Sequence, residues 1–347
     1  IALIQEFFFT PDMQISYVLE VLRYWKLMFH VDGFHITGIP SSREILADPL
    51  LKGSKMLFSN GCDSPSPQGL GLDYSFMNQL RRFLKGDEGM LPAIADYLGA
   101  EGKAVHFAAD INGFSLADVF SYNYKHNEDN GEENQDGESV NYSWNCGAEG
   151  ETKKKNILLL RKKMFRNALL LLLLTPGCVL ICSGDEFGQT RQGNNNAYCQ
   201  DNEISWLDWK NLTKNEDRLE FFKGMVQLRK QLLPALYREK EAGEEKFHPP
   251  LSLHGTMAWQ PELDYHRHEL ALLLERERSY YIMYNMHWEA HEFLLPTLKK
   301  GVLWRIMVDT DAPAAIAGAG EEMPLENQRQ ILLAPRSAVV LVSSSGL

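Results

Sequence analysis

Asp185 and Glu186 stand side by side, and Asn194, Asn195 and Asn196 follow closely, with Tyr198 just beyond. Carboxylates and amides hydrogen-bond hydroxyl groups, and an aromatic ring stacks on the flatter face of a sugar. The stretch therefore has the make-up of a carbohydrate subsite. The same residues also suit plain loop work, since Asp caps helices and Asn closes turns. Both readings stand at this level. Trp144, inside the polar loop 123–151, either stacks on a ligand or anchors its loop. Arg191 reads as loop support, and Glu128 to Glu138 as a solvated acidic face. His126 has no second histidine or cysteine at ligand spacing, so no metal centre is expected, and no cofactor.

A formal net charge of −11 argues against nucleic acid as a partner, because phosphate binding needs basic surface. Cys62, Cys146, Cys178, Cys182 and Cys199 are an odd set without Cys-x-x-Cys pairs, which suggests reduced thiols in cytoplasm or a plastid stroma. The most apolar run, Ala168 to Cys182, is broken by Pro176 and Gly177 and falls short of the roughly 20 residues a membrane helix needs. It reads as a buried helix, a turn and a buried strand. No secretory leader is visible, and the Ile1 start suggests that further sequence precedes it.

The elements that must position these residues alternate. Helical spacing runs from Pro11 to His30 through Ile15, Val18, Leu19, Leu22, Trp25 and Leu27. Val31 to Ile36 and Lys55 to Phe58 read as strands, with a helix from Ser41 to Leu51 between them. Phe76 to Leu84 reads as a helix with Arg81 and Arg82 on its polar side. Ala104 to Ala109 is strand-like, Lys153 to Leu174 a long helix, and Cys178 to Cys182 a buried strand. Such alternation predicts a parallel sheet with helical crossovers. Beyond Pro249 short strands are separated by polar turns (270–274, 280–284, 302–308 and 338–342), as in an antiparallel β-sandwich.

Several segments together resemble the isoamylase and glycogen-debranching branch of the α-amylase superfamily. They are Leu22 to Trp25 leading into His30 to Phe34; Ser121 to Asn127, Asn130 to Glu132 and Tyr142 to Gly147; and Gly184 to Gly188, Gly193 to Tyr198 and Trp206 to Trp209. Asp309, Thr310, Arg336 and Ser337 match the family's tail. The resemblance implies an α/β fold: the later part of a (β/α)8 barrel over 1–248, from about the fourth strand onward, then a C-terminal antiparallel β-sandwich over 249–347. The active site would lie at the C-terminal ends of the strands. Strands one to three would be absent, and a barrel opened in this way is not expected to be a stable monomer alone.

The resemblance also exposes replacements. Retaining glycosidases use two carboxylates about 5 Å apart. The family's nucleophile follows an Asp-Gly-Phe-Arg-Phe stretch, which here reads Asp32, Gly33, Phe34, His35, Ile36, so Thr37 takes the nucleophile's place. Ser59 stands at the acid/base position and Asn112 at that of the third carboxylate. A threonine hydroxyl without a base is a poor nucleophile. One charge lost at about 4 Å is worth roughly 4 kcal/mol at an effective dielectric of 20, or about a thousandfold in rate. Asp63 and Asp110 are the acids near enough in sequence to be considered as substitutes. Asp110 is expected on the same strand face as Asn112 but roughly 6–7 Å away. The expectation is a non-catalytic member of the family, a pseudoenzyme. It would bind α-glucan of the glycogen or starch type, through Asn112, Trp144, Asp185, Glu186, Asn194, Asn195, Asn196 and Tyr198, or support an active isoamylase subunit. The alternative is an active α-1,6-glucan hydrolase using displaced acids.

Overall fold

The computed structural model describes residues 1–39, 42–58, 69–99, 104–236, 251–275, 277–318 and 320–345. They fall into two compact units, Ile1–Tyr74 with Gly102–His106, and Ser75–Glu101 with Phe107–Leu347.

In the first unit, β1 (Ile4–Phe8), β2 (Gly33–Thr37), β3 (Lys55–Phe58) and β4 (Gly69–Gly71) form a parallel sheet in chain order. Helices α1 (Ile15–Phe29) and α2 (Arg43–Ala47) make the crossovers that parallel neighbours require. Leu72 bridges in parallel to Val105 of β5 (Val105–His106). The core holds Val18 and Leu22 from α1, Phe34 and Ile36 from β2, Ile45 from α2, and Met56 and Phe58 from β3. Ile15 and Leu27, expected on the apolar stripe of α1, are 36% and 56% exposed. The α2 segment is shorter than the stretch 41–51; Ser42 caps it, accepting the Ile45 N–H at 3.1 Å.

The first visible strand is β1, not the strand that ends at Ile36. Its sequence, with Gln5 and Glu6 at the centre, lacks an apolar run, and every position but Phe8 is only half-buried. Its place is set instead by pairing with β2, from Ile4↔Gly33 to Phe8↔Thr37. Asp32 fastens the strand starts. Its carboxylate accepts the Leu3 N–H at 2.7 Å, and its carbonyl accepts the Lys55 N–H at 3.0 Å. A Cβ on Gly33 would lie 2.2 Å from the Lys55 carbonyl oxygen, so only glycine lets β3 approach there.

The second unit opens with α3 (Tyr74–Lys85) and α4 (Leu91–Gly99), followed by α5 (Leu116–Val119), α6 (Lys155–Leu174), β6 (Cys178–Val179), α7 (Asn211–Lys214) and α8 (Glu216–Leu236). Strand β6 is shorter than the expected 178–182, and Cys178 is exposed. Apolar composition alone did not bury it: Pro176 and Gly177 are still buried where α6 has ended, and exposure begins at Cys178. None of the helices among the described residues is long and apolar enough to cross a membrane.

The C-terminal part of this unit contains β7 (Leu251–His254), β8 (Glu269–Leu274), β9 (Tyr280–Asn285), β10 (His291–Leu294), β11 (Val302–Asp309), β12 (Met323–Pro324), β13 (Gln330–Leu333) and β14 (Ser337–Ser345). Six of them make an antiparallel sheet in the order β12-β11-β14-β9-β8-β7, and β10 pairs with β13 separately. Alternation along β8 sorts the two faces. Leu270, Leu272 and Leu274 join a core with α3, α4, α6 and α8, whereas Ala271 and Leu273 join Phe293 of β10 and Leu333 of β13. Strands β8, β9 and most of β14 are therefore buried on both faces. The residues around the expected boundary at 248 lie outside those described, and the helices α4 to α8 share one compact unit with the C-terminal sheet.

Polar side chains of α6 lock it to that sheet. Arg166 donates to the carbonyls of Thr310, Ala312 and Pro313 at 3.2, 2.7 and 3.1 Å. Asn167 donates to Arg336 O at 2.8 Å, and Lys163 pairs with Asp311 at 2.7 Å. Thr310 in turn accepts the Ala338 N–H at its hydroxyl, 2.9 Å.

Candidate functional site

In the first unit, the register of β1 and β2 sets Glu6 opposite His35, and the His35 Nδ1 lies 3.3 Å from the Glu6 carboxylate. Two residues on, Thr37 ends β2 half-buried, its hydroxyl donating to the Phe7 carbonyl at 3.3 Å. That proton is directed at a peptide oxygen, which cannot accept it fully and so cannot activate the hydroxyl. Ser59 and Asp63 lie outside the described residues.

In the second unit, Asn112 is exposed on the turn at Ile111 and Asn112. Strand β5 has ended by His106, so strand alternation does not relate Asp110 to Asn112 as expected; Asp110 is buried where Asn112 faces solvent. Arg191 holds this turn from outside, donating to the carbonyls of Ile111 at 2.7 Å and Gly113 at 2.9 Å. Arg81 supports the neighbourhood from inside. It is 3% exposed rather than on a polar helix face, and donates to Ala108 O at 2.9 Å and Asn141 O at 3.0 Å. Burial brings its guanidinium down to about 10, against the opposing pull of Asp110 and Asp185.

Asp185 is 3% exposed and accepts the N–H of Leu116, the first residue of α5, at 2.8 Å. Burial raises its carboxyl from 3.8 to about 7, more than that hydrogen bond and Arg191 lower it. Asp118, fully buried, accepts the Arg191 N–H at 2.8 Å and the Thr190 hydroxyl, and burial raises it too. Glu186 turns back on its own loop, accepting the Gly184 N–H at 2.8 Å. Loop 184–191 is thus fastened to loop 110–118 by buried carboxylates, which hold backbone donors and leave Asn112 facing outward.

The asparagines form the other half of this region. Asn195 is fully buried. Its oxygen accepts from Asn127 at 2.9 Å, and its amide donates to Glu138 O at 2.7 Å and Asn141 Oδ1 at 3.0 Å. Asn194, 1% exposed, donates to Asn130 Oδ1 at 2.9 Å. Asn196, only half-buried, donates to Asp136 at 2.9 Å. Burial works to raise Asp136, but hydrogen bonds from Asn130 and Asn196 outweigh it and hold the carboxyl below its usual range. Tyr198 projects a 68% exposed ring whose hydroxyl bonds the Glu132 carboxylate, a pairing that pushes the phenol up to about 12. Trp144 is packed: its ring lies under the Arg336 guanidinium, 5.3 Å from centroid, and its backbone N–H donates to Val119 O at 2.9 Å.

The polar loop 123–151 is therefore folded around its own side chains. Glu128, Glu132 and Glu138 are solvated, while Asn127, Asn134 and Asp136 turn inward. Glu149, which sequence reading passed over, accepts the N–H groups of Asn123 at 2.9 Å and Tyr124 at 3.1 Å and the Asn145 amide at 2.9 Å. One signal could have found it: repeated Asn and Glu around tyrosines, too aromatic for a disordered tract. The region offers side-chain and backbone donors and acceptors with an exposed aromatic, a surface for neutral hydroxylated ligands. Among the described residues one His and Glu cluster could hold a cation, at Glu269, His287 and His291, distant in sequence from His126.

Solved pullulanases share this fold. The product complex of the pneumococcal glycogen-degrading virulence factor SpuA overlays with a TM-score of 0.67 at 16% identity, covering 95% of this chain and 39% of that one. No protein-family model matches the chain. A curated relative, the glycogen operon protein GlgX homolog of Mycobacterium tuberculosis, is 35% identical over 249 residues, covering 62% of this chain and 34% of the relative. Isoamylase 1, chloroplastic, of Arabidopsis thaliana is 29% identical over 356 residues, 86% of this chain and 45% of the relative. The chain thus resembles the isoamylase and glycogen-debranching branch of the α-amylase superfamily, and spans less than half the length of these relatives.

Proposed function

We propose that this chain is the later barrel part, 1–248, and C-terminal β-domain, 249–347, of an isoamylase-like protein that binds α-glucan without hydrolysing it. The observation that carries this reading is Thr37 at the end of β2, a neutral hydroxyl donating to the Phe7 carbonyl where the family has its nucleophile. Asn112, neutral and exposed on its turn, agrees with it. Tyr198 and Asn196 supply the surface for a sugar ring and its hydroxyls, and Asn194, Asn195, Asp185, Glu186 and Trp144 hold the loops beneath. Such a protein would act in the cytoplasm or a plastid stroma, with an active isoamylase as its natural partner.

A second reading has one observation in its favour. Burial raises the Asp185 carboxyl to about 7, a value suited to proton transfer, so an α-1,6-glucan hydrolase using displaced acids is the competing function. Retention on glycogen and release of reducing ends from glycogen separate the two. Retention without release, weakened by Tyr198→Ala, is the expected result. Release of reducing ends that Asp110→Asn or Asp185→Asn abolishes would overturn the non-catalytic reading, and absence of retention would overturn glucan binding.

A further inference from the structure

His287 lies on the link from β9 to β10 and His291 opens β10, a His-x3-His spacing, and Glu269 opens the neighbouring strand β8. These three bring one ligand atom each to within 4.8 Å of one another. They come from both layers of the C-terminal part: Glu269 from the six-stranded sheet, His291 from the two-stranded sheet, and His287 from the link between them. None of them belongs to the glucan surface described above.

Glu269 is 3% exposed, and a buried carboxylate requires compensation. The compensation it has is weak. Its Oε2 accepts the His268 N–H at 3.3 Å and lies 3.9 Å from the half-exposed Arg267, and its Oε1 lies 3.5 Å from His291 Nδ1. The other ring nitrogen of His291, Nε2, is buried and has no hydrogen-bond partner. An orphaned buried imidazole nitrogen beside an under-bonded buried carboxylate is costly as it stands. A carboxylate oxygen and an imidazole nitrogen that are both short of partners are lone-pair donors that a bound cation would satisfy. His287 accepts the Glu289 N–H at Nδ1, 3.0 Å, so the atom it would offer is Nε2. Its Nδ1 would then carry the proton, and the Glu289 amide, on the exposed tip of the turn, would pass to water.

We propose that Glu269, His287 and His291 bind one divalent cation of the Zn2+ class, which pins the two sheets of the C-terminal part together. Two imidazoles with one carboxylate suit such an ion better than Mg2+ or Ca2+, which prefer all-oxygen shells. The test is titration of the whole chain, freed of metal with a chelator, with Zn2+ and separately with Co2+ and Mg2+. Expected are one equivalent of bound Zn2+, a rise in melting temperature that Mg2+ does not reproduce, and a visible Co2+ absorption band. His287→Gln with His291→Gln should weaken binding by more than the ~10–100-fold that loss of an outer partner costs. These side chains are partly exposed, so the variant should fold. A Cys178→Ser, Cys199→Ser variant removes the two exposed thiols and should bind as the parent does. No Zn2+-dependent shift in the parent chain, binding that survives the histidine replacements, or binding lost with the thiols would each overturn the site.

Discussion

Replacing Asp185 with asparagine isolates the charge from the contact it makes. The amide oxygen can still accept the Leu116 N–H, but nothing ionises. In the parent chain burial raises this carboxyl from 3.8 to about 7. Between those values the folded chain holds a proton that the unfolded chain has released, so stability is highest at the acidic end and falls as pH rises through the window. At roughly 1.4 kcal/mol per pH step, the whole interval amounts to about 4 kcal/mol. Asp185→Asn lacks this loss. Urea unfolding of both proteins at pH 4, 6 and 8 should therefore give a stability difference that moves by about 4 kcal/mol in the variant's favour. Taking the difference matters, since other groups titrate in the same range and cancel between the two proteins. A difference constant across pH would refute the raised carboxyl, and with it the burial account of this loop. One that grew toward acid would show that the carboxylate is stabilised as an anion.

Three further outcomes follow from the same geometry. His254 is fully buried and burial lowers it from 6.5 to about 4, so the unfolded chain takes up the proton first and stability falls as pH drops through that window. His254→Gln should flatten this fall, which amounts to about 3 kcal/mol, in melts between pH 4 and 7. Arg191→Ala should cost about 2 kcal/mol and speed hydrogen exchange at residues 110–113, a turn in which it holds the carbonyls of Ile111 and Gly113. Asn195→Ala removes one acceptor of the buried Asn127 amide and the donor to the buried Asn141 oxygen, and should cost about 2 kcal/mol in chemical denaturation. A cost for Asn195→Ala no larger than a surface replacement's, under about 0.5 kcal/mol, would mean that the network does not hold the loop.

Periodicity found what is packed and missed what is paired. Lys55 to Phe58 is apolar because β3 is buried, and Leu270 to Leu274 and Tyr280 to Tyr284 are nearly continuous because their sheet is covered on both sides. Strand β1 escaped notice because a parallel neighbour and Asp32, not a hydrophobic run, define it. Residue type alone puts Arg81 in solvent, whereas Ala108 and Asn141 present carbonyls that make a buried guanidinium tolerable. Motifs single out Asp185 and the asparagine run in the second unit, and Thr37 in the first, as candidates, but do not say which way each side chain turns. Asn194 and Asn195 face inward and Tyr198 outward, and that choice rests on partners such as Asn127, Asn130 and Glu132, far away in sequence. The His287 and His291 pair was overlooked because the third member, Glu269, lies on another strand.

The grip of α6 on the C-terminal strands has an evolutionary side. Lys163, Arg166 and Asn167 spend their donors on backbone oxygens and one carboxylate beyond residue 309, and buried leucines of the same helix meet the inner face of the sheet. A chain cut near 248 would leave two cationic side chains and an amide without partners and a leucine-rich face wet. The strands are therefore not a detachable module that recombination could exchange freely. Any replacement would have to bring its own carbonyls to the same helix, which makes α6 and the C-terminal sheet a single inherited piece.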